Sequence, residues 1–158
     1  MIVQAQPAIA PQGDAFRVKI VPSLVAIAKL TRCLLTLKLA EVELFNGQDE
    51  LLLSLEADVP RSVSDLAEAL DVRPSTVSKM VDRLSEGGLV ERSKGADQRS
   101  VLVSITAAGI ELNARILAIH AVIETEIARF LPEKTSADLP FALADTEAAL
   151  RRIIARLR

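Results

Sequence analysis

The chain has 158 residues, of which 50% are hydrophobic and 25% are charged, and its formal net charge is -2 at pH 7. That length suffices for about one folded domain, and this composition is typical of a globular protein. The near-neutral charge excludes a strongly basic nucleic-acid-binding domain. Any nucleic-acid binding therefore has to be argued from local sequence motifs. With no Trp or Tyr and four Phe, the chain also lacks an aromatic platform for single-stranded nucleic acid.

The N-terminal region and the cysteine content indicate the cytoplasm. The apolar run from Ile20 to Ala28 is interrupted by Pro22 and Ser23 and is much shorter than the roughly 20 residues of a membrane span, so we expect no membrane partner. Residues 1–16 carry neither a basic stretch nor an unbroken apolar stretch, which predicts a flexible tail rather than a secretion signal. A single cysteine, Cys33, cannot form an internal disulfide and fits a reducing compartment.

Two helices are predicted after the tail. Apolar residues recur at helical spacing from Ser23 to Phe45, and Asn46 with Gly47 ends this pattern. A shorter, Leu-rich helix is predicted from Asp49 to Glu56. It ends before Pro60 because the residue that precedes a proline avoids helical dihedral angles.

The next segment predicts two short helices separated by a turn. Ser62 is suited to cap a helix from Val63 to Leu70, with Asp65 as the second member of a capping box. Proline is favoured at the first position of a helix, so Pro74 opens the following helix, which runs to about Glu86. Gly87 and Gly88 supply its C-terminal stop.

A hairpin and two long helices complete the chain. Strands are predicted from Leu89 to Ser93 and from Ser100 to Ile105, joined by a polar tip. Thr106 is placed to cap a fifth helix that extends to about Leu131, and a sixth is predicted from Ala137 to Leu157. Short helix, turn, short helix and hairpin is the plan of a winged helix-turn-helix. The predicted fold class is therefore mainly α with a small β-hairpin wing.

The helix that Pro74 opens has a polar face suited to DNA. A projection at 100° per residue places Val77, Met80, Val81 and Leu84 on its inner side. The outer N-terminal half carries hydroxyls and one cation, which can contact base edges or phosphate in a major groove. These candidate residues are Ser75 and Lys79, opposite the inner side, with Thr76, Ser78 and Arg83 on the flanks. Asp82 and Glu86 would repel phosphates, so we expect the N-terminal end to enter the groove, where the helix dipole also favours phosphate.

The hairpin adds the cations Arg92, Lys94 and Arg99. Arg99 is placed to reach a minor groove, whose narrowness concentrates negative potential, and Asp97 is placed to orient it. Between residues 73 and 99 there are six basic and four acidic residues. Because this excess is small, affinity is expected to depend on geometry and on dimerisation.

Several segments resemble the MarR family of winged-helix regulators, over about residues 48 to 110. They are residues 64–70, 75–84 and 88–92, the Asp-x-Arg of residues 97–99 and the Thr-x-x-Gly of residues 106–109. The resemblance implies that Ser75, Thr76, Ser78, Lys79 and Arg83 are recognition-helix positions and that Arg92 and Arg99 are wing positions. The chain departs from the family pattern at Ser78, Lys79 and Ile105. These departures leave the operator sequence open.

The resemblance also implies a homodimer that binds a pseudo-palindromic operator on double-stranded DNA and usually acts as a repressor released by a small ligand. Residues 48–105 would form the DNA-binding lobe, and residues 17–47 and 106–158 the dimerisation helices. Independently, the long terminal helices carry more apolar surface than so small a lobe can cover, which favours a partner surface over a private bundle. The effector's identity and the direction of regulation stay open.

The remaining candidate residues are Cys33 and His120. They do not predict an enzyme, a metal site or a site for another cofactor. Cys33 lies among leucines and is expected to be a buried small hydrophobe, with redox activity as the alternative. His120, the only histidine, has no ligand partners at metal spacing and is expected to be a polar core or interface residue. The alternative function is a winged-helix module that binds another protein without reading DNA, which the charge balance and the acids Asp82 and Glu86 would favour.

Overall fold

The computed structural model describes residues 19–95 and 101–157, which form six α-helices and three short strands. A short 3₁₀ helix, Ala40–Val42, follows the first α-helix. In chain order the elements are α1 (Ile20–Leu39), α2 (Gln48–Leu53), β1 (Arg61–Ser62), α3 (Val63–Ala69), α4 (Pro74–Glu86), β2 (Val90–Lys94), β3 (Val101–Ile105), α5 (Ala107–Phe130) and α6 (Glu133–Leu157). The predicted fold class is confirmed.

The described sheet has three antiparallel strands in the order β1-β3-β2, whereas the sequence predicts only the hairpin of β2 and β3. Val103 in the central strand pairs with Arg61 on one side and with Arg92 on the other. β1 has two residues, which is too short for an alternating pattern to reveal. Its pairing joins the start of α3 to the base of the hairpin.

The predicted capping residues all take their expected roles. The hydroxyl of Ser62 accepts a hydrogen bond from the Asp65 amide, and the Asp65 carboxylate accepts one from the Ser62 amide, which completes the capping box. Pro74 is the first residue of α4, and the Thr106 hydroxyl accepts from the amide of Gly109 at 3.1 Å. Gly109 itself is buried, and a Cβ there would collide with the carbonyl oxygen of Leu89.

Several helix boundaries differ from prediction. The first helix starts at Ile20 rather than Ser23, because its first turn accepts Pro22, whose missing N–H would have no helical partner there. It ends at Leu39 rather than Phe45, where the chain tightens and Glu43 adopts the left-handed conformation with φ 60°.

The other two differences concern α2 and α6. The second helix, expected from Asp49 to Glu56, runs from Gln48 to Leu53. The sixth starts at Glu133 rather than Ala137 and continues through Pro140.

The buried core is continuous across the boundaries predicted for the DNA-binding lobe. Val77 and Val81 of α4 and Val103 of β3 are fully buried in it. Leu39 from the end of α1 and Ile116 from α5 are fully buried in the same cluster. α1 and α5 are therefore anchored in the core of the lobe, through Leu39 and Ile116.

Away from those anchors, the terminal helices leave large apolar side chains exposed. No residue of α6 is buried. The exposed apolar residues of α1, α5 and α6 include Ile20, Val21, Ile27, Leu30, Leu37, Leu117, Val122, Phe130, Phe141, Ile153 and Leu157. The stretch Ile20–Val42 is also long and apolar enough to cross a membrane by length and composition alone, a weak criterion that core helices of soluble proteins also satisfy.

The two singled-out side chains lie in different environments. The prediction that Cys33 is buried is wrong for the single chain, because that face of α1 is not covered and the thiol is exposed. His120 is partly buried, and its Nε2 lies 3.4 Å from Oδ2 of the buried Asp49. His120 of α5 thus lies beside the start of α2, half-buried rather than in the core, and its expected place in an interface stays a prediction.

Candidate nucleic-acid interface

Helix α4 has one buried face and one exposed face. Val77, Val81 and Leu84 are buried, and Met80 is half-buried. On the other side Ser75, Thr76, Lys79 and Arg83 are exposed, and Ser78 is half-buried. The structure therefore brings the predicted recognition-helix residues together on the side of α4 that faces solvent.

The N-terminal end of α4 projects from a compact turn. Arg73 has an extended backbone and precedes the helix, and its carbonyl oxygen accepts from the amide of Thr76 at 2.8 Å. The Ser78 hydroxyl donates to the carbonyl oxygen of Pro74 at 3.0 Å, so its proton is directed at the helix backbone. Ser75, Thr76 and Lys79 are thus the polar groups most directly presented to a ligand.

Arg83 is held by a residue that the sequence did not indicate. The guanidinium carbon of Arg83 lies 5.3 Å from the ring centre of Phe45, which is within the range of a cation–π contact. Phe45 belongs to the turn between α1 and α2. In the same turn Gly47 has φ 89°, and a Cβ on it would lie 2.8 Å from the Cε of Met80. This turn therefore packs directly against α4.

Arg92, predicted to contact DNA, forms an ion pair with Asp82 of α4. Its Nη2 also donates to the carbonyl oxygen of Ser78 at 3.2 Å. Asp82, expected to repel phosphate, therefore has a cation beside it. Lys94 is exposed near the end of β2, and Arg99 and Asp97 lie outside the described residues.

Sequence reasoning also missed Arg61, a cation that joins three segments. Its Nη1 donates to the carbonyl oxygen of Ser54 at 3.1 Å, and its Nη2 to that of Asp65 at 3.3 Å. A two-residue strand offers no periodic signal, so only these hydrogen bonds show why an arginine stands there. Its role is to brace the wing base against α2 and α3.

A cleft of about 410 Å³ lies between the turn after α1, the C-terminal end of α4 and the start of α5. Its lining combines apolar side chains with both signs of charge. It includes Val42, Glu43, Phe45, Arg83, Leu89, Glu111, Leu112 and Arg115. The cleft thus adjoins the terminal helices on one side and α4 on the other.

Comparison with known proteins supports the helix-turn-helix. Residues 52–96 match the family model of the iron dependent repressor N-terminal DNA binding domain. Within residues 19–95 and 101–157, no group of three or more His, Cys, Asp or Glu is placed to hold a metal ion, so the described donors do not fit an iron site. The match covers only the helix-turn-helix and the entry to the wing.

A curated relative is the HTH-type transcriptional repressor MdtR of Bacillus subtilis, which is 33% identical over 85 residues. That match spans 53% of this chain and 55% of MdtR, about half the length of each.

Solved structures match over most of the chain. MarR from E. coli gives a TM-score of 0.72 at 22% identity, covering 82% of this chain and 97% of that one. The chain has the MarR fold. The YusO protein from Bacillus subtilis gives 0.63 at 27% identity over 82% of this chain and 93% of its own. MepR of S. aureus, solved as a complex with DNA, gives 0.70 at 23% identity over 83% and 97%.

The MarR fold accounts for the arrangement of the terminal helices. Chains of this fold match almost end to end, so the likeness includes α1, α5 and α6 as well as the central lobe. The sequence resemblance covered only residues 48 to 110. Structural similarity thus extends the assignment to the helices whose apolar faces are exposed in the single chain.

Proposed function

We propose that this chain is a homodimeric transcriptional regulator that binds double-stranded DNA sequence-specifically. The observation that carries the proposal is the exposed N-terminal half of α4, with Ser75, Thr76 and Lys79 on its outer side and the hairpin of β2 and β3 beside it. The helix would enter the major groove, where hydroxyl and ammonium groups reach base edges or phosphates. The wing, with Lys94 and Arg99, would reach the adjacent minor groove.

The relatives support this function. MdtR is named a transcriptional repressor, and MepR has been solved with DNA. By extension we propose that this chain represses transcription in the cytoplasm.

The dimer is proposed from the exposed apolar faces of α1, α5 and α6. Such an area on a soluble protein marks a partner surface, and a second copy offers a self-complementary one. Dimerisation would also raise the affinity of a lobe with little excess positive charge. Two recognition helices roughly 34 to 36 Å apart would contact successive turns of a pseudo-palindromic operator.

The domain division follows from this arrangement. Residues 48–105 would form the DNA-binding lobe, residues 17–47 and 106–158 the dimerisation helices, and residues 1–16 a tail. Because Leu39 and Ile116 are buried in the core of the lobe, a shift of the dimer helices would move the lobe with them. The proposed boundary therefore separates two functions, DNA binding and dimerisation, and the hydrophobic core is continuous across it.

We also propose that a small molecule releases the DNA through the cleft between α4 and the starts of α2 and α5. A ligand there would touch Arg83 of the recognition helix and Arg115 of α5 at once. A ligand in contact with both helices would have different affinities for dimer arrangements in which α4 and α5 lie differently, which is the condition for regulation.

A mobility-shift experiment tests DNA binding. The purified protein should shift DNA from upstream of its own gene but not a scrambled fragment, and the affinity should fall as salt is raised. A lack of preference for the native fragment would contradict sequence-specific binding. If Lys79→Ala combined with Arg99→Ala leaves cellular function unchanged, the alternative of a protein-interaction module gains support.

A further inference from the structure

The side chain of Arg92 joins the wing to the recognition helix at two points. Its Nη2 pairs with Oδ1 of Asp82 and donates to the carbonyl oxygen of Ser78 at 3.2 Å. Residues 78 and 82 are four apart, so they lie one above the other on one face of α4. One guanidinium therefore spans a full turn of the helix from a strand of the hairpin.

This geometry directs the cation toward the protein. Each terminal guanidinium nitrogen carries two N–H donors, so Nη2 alone can contact the carboxylate and the carbonyl oxygen. Arg92 and Asp82 retain 37% and 52% of their side-chain exposure, so the pair sits at the surface of the proposed DNA interface. Engaged in this way, Arg92 is poorly placed to contact phosphate.

The pair also changes the charge of the recognition helix. Asp82, Ser85, Glu86 and Arg92 line one shallow depression, so two carboxylates face a single arginine there. Without Arg92 both acids would stand uncompensated on the helix that approaches the DNA. Repulsion from phosphates would then oppose binding.

The contact with α4 further fixes the direction of the wing. Side chains alternate along a strand, so Lys94 lies on the same face of β2 as Arg92, two residues closer to the tip. Holding Arg92 against α4 therefore turns Lys94 to the side on which α4 lies. The wing cation and the recognition helix are thereby presented together.

We propose that Arg92 is a positioning residue that holds the wing against α4 and neutralises Asp82, and that it does not itself contact phosphate. This inference rests on the proposed DNA binding. It assigns Arg92 a different role from Lys94, although both are exposed cations on one face of β2.

The test compares the salt dependence of DNA affinity for the full chain and four variants. These are Arg92→Gln, Asp82→Asn, the double variant with both changes, and the matched control Lys94→Gln. Each phosphate contact contributes about 0.9 to the slope of log affinity against log salt. Lys94→Gln should therefore lower the slope by about 0.9. Arg92→Gln should weaken binding about tenfold. The double variant removes the uncompensated carboxylate but leaves the wing released, so it should recover only part of that affinity.

A different result for the double variant overturns the proposal. If its slope is lower by about 0.9 while the amides of β2 and β3 exchange as slowly as in the wild type, Arg92 itself contacts phosphate. If it binds no better than Arg92→Gln, neutralisation of Asp82 is not the role of Arg92.

Hydrogen exchange separates this inference from the proposed function, because it needs no DNA. Amides of β2 and β3 should exchange severalfold faster in Arg92→Gln than in the wild type. In the double variant they should exchange at the same rate as in Arg92→Gln. Lys94→Gln should leave those rates unchanged. Unchanged exchange in Arg92→Gln overturns the positioning role, whereas a wild-type protein that shifts no DNA overturns the proposed function.

Discussion

The ring centre of Phe45 lies 5.3 Å from the guanidinium carbon of Arg83, which joins the turn after α1 to the recognition helix. Phe45 follows the helix whose apolar face is exposed, and Arg83 lies on the helix proposed to enter DNA. The contact therefore links the part of the chain proposed to form the dimer directly to the part proposed to bind DNA. It also forms a wall of the cleft proposed to accept the small molecule.

Replacing Phe45 by Leu should weaken DNA binding with little loss of stability. An exposed cation–π contact contributes about 0.5–1 kcal/mol, so the free energy of unfolding should fall by no more than that. Arg83 loses its fixed position, and its interaction with DNA should weaken several-fold. Titration of the native operator with Phe45→Leu and Arg83→Gln, singly and together, measures the coupling. Additive losses in the double variant would show that the ring does not act through Arg83.

Introducing a charge on the exposed face of α1 should prevent dimerisation. Leu30 is 71% exposed in the single chain, and Leu30→Glu would bury a carboxylate in the proposed interface. Sedimentation should then show a monomer with a folded circular dichroism spectrum and lower DNA affinity. Val59→Glu, the same kind of change at an exposed position outside the terminal helices, serves as the control and should remain dimeric. A dimeric Leu30→Glu protein would place the interface elsewhere.

Removing the Ser62 hydroxyl should destabilise the start of α3. The Ser62 side chain accepts from the Asp65 amide at 3.1 Å, and loss of such a cap costs about 0.5–2 kcal/mol. Urea denaturation of Ser62→Ala measures the cost, with Ser64→Ala, an exposed position in the same first turn, as the control. Equal stability of Ser62→Ala and the wild type would show that the capping box contributes nothing.

Adding a methyl group at Gly109 should disrupt the junction of α5 with β2. A Cβ there would collide with the carbonyl oxygen of Leu89 and lie 2.7 Å from Cγ1 of Ile105. Overpacking of this kind costs roughly 1–3 kcal/mol even though Ala is the better helix former. Gly87→Ala, where the nearest atom would be 3.6 Å away, is the matched control for denaturation. A Gly109→Ala protein as stable as wild type would show that the junction can yield.

Locally encoded features could be predicted from the sequence. Ser62, Pro74 and Thr106 act on their own first helical turns, and the structure places each at a helix start. The inner face of α4 was predictable because helical periodicity alone assigns Val77 and Val81 to it.

Features that depend on contacts between distant segments could not be predicted. The chain leaves α1 in a turn that packs on α4, and β1 forms through its pairing with β3. The Arg92–Asp82 pair joins residues on different elements, so sequence reasoning treated them as a DNA contact and a repulsive charge. The exposure of Cys33 differs from prediction because helix α1 lacks a covering partner within one chain.

The measurement that tests the central claim most directly is the affinity of Lys79→Ala for the native operator and for scrambled DNA of equal length. Lys79 is exposed on the outer face of α4 and is proposed to enter the major groove. Loss of a base contact costs about 1–3 kcal/mol, so affinity for the operator should fall roughly 5- to 150-fold, with a smaller change for the scrambled DNA. Unchanged operator affinity in a folded, dimeric Lys79→Ala protein would contradict the account.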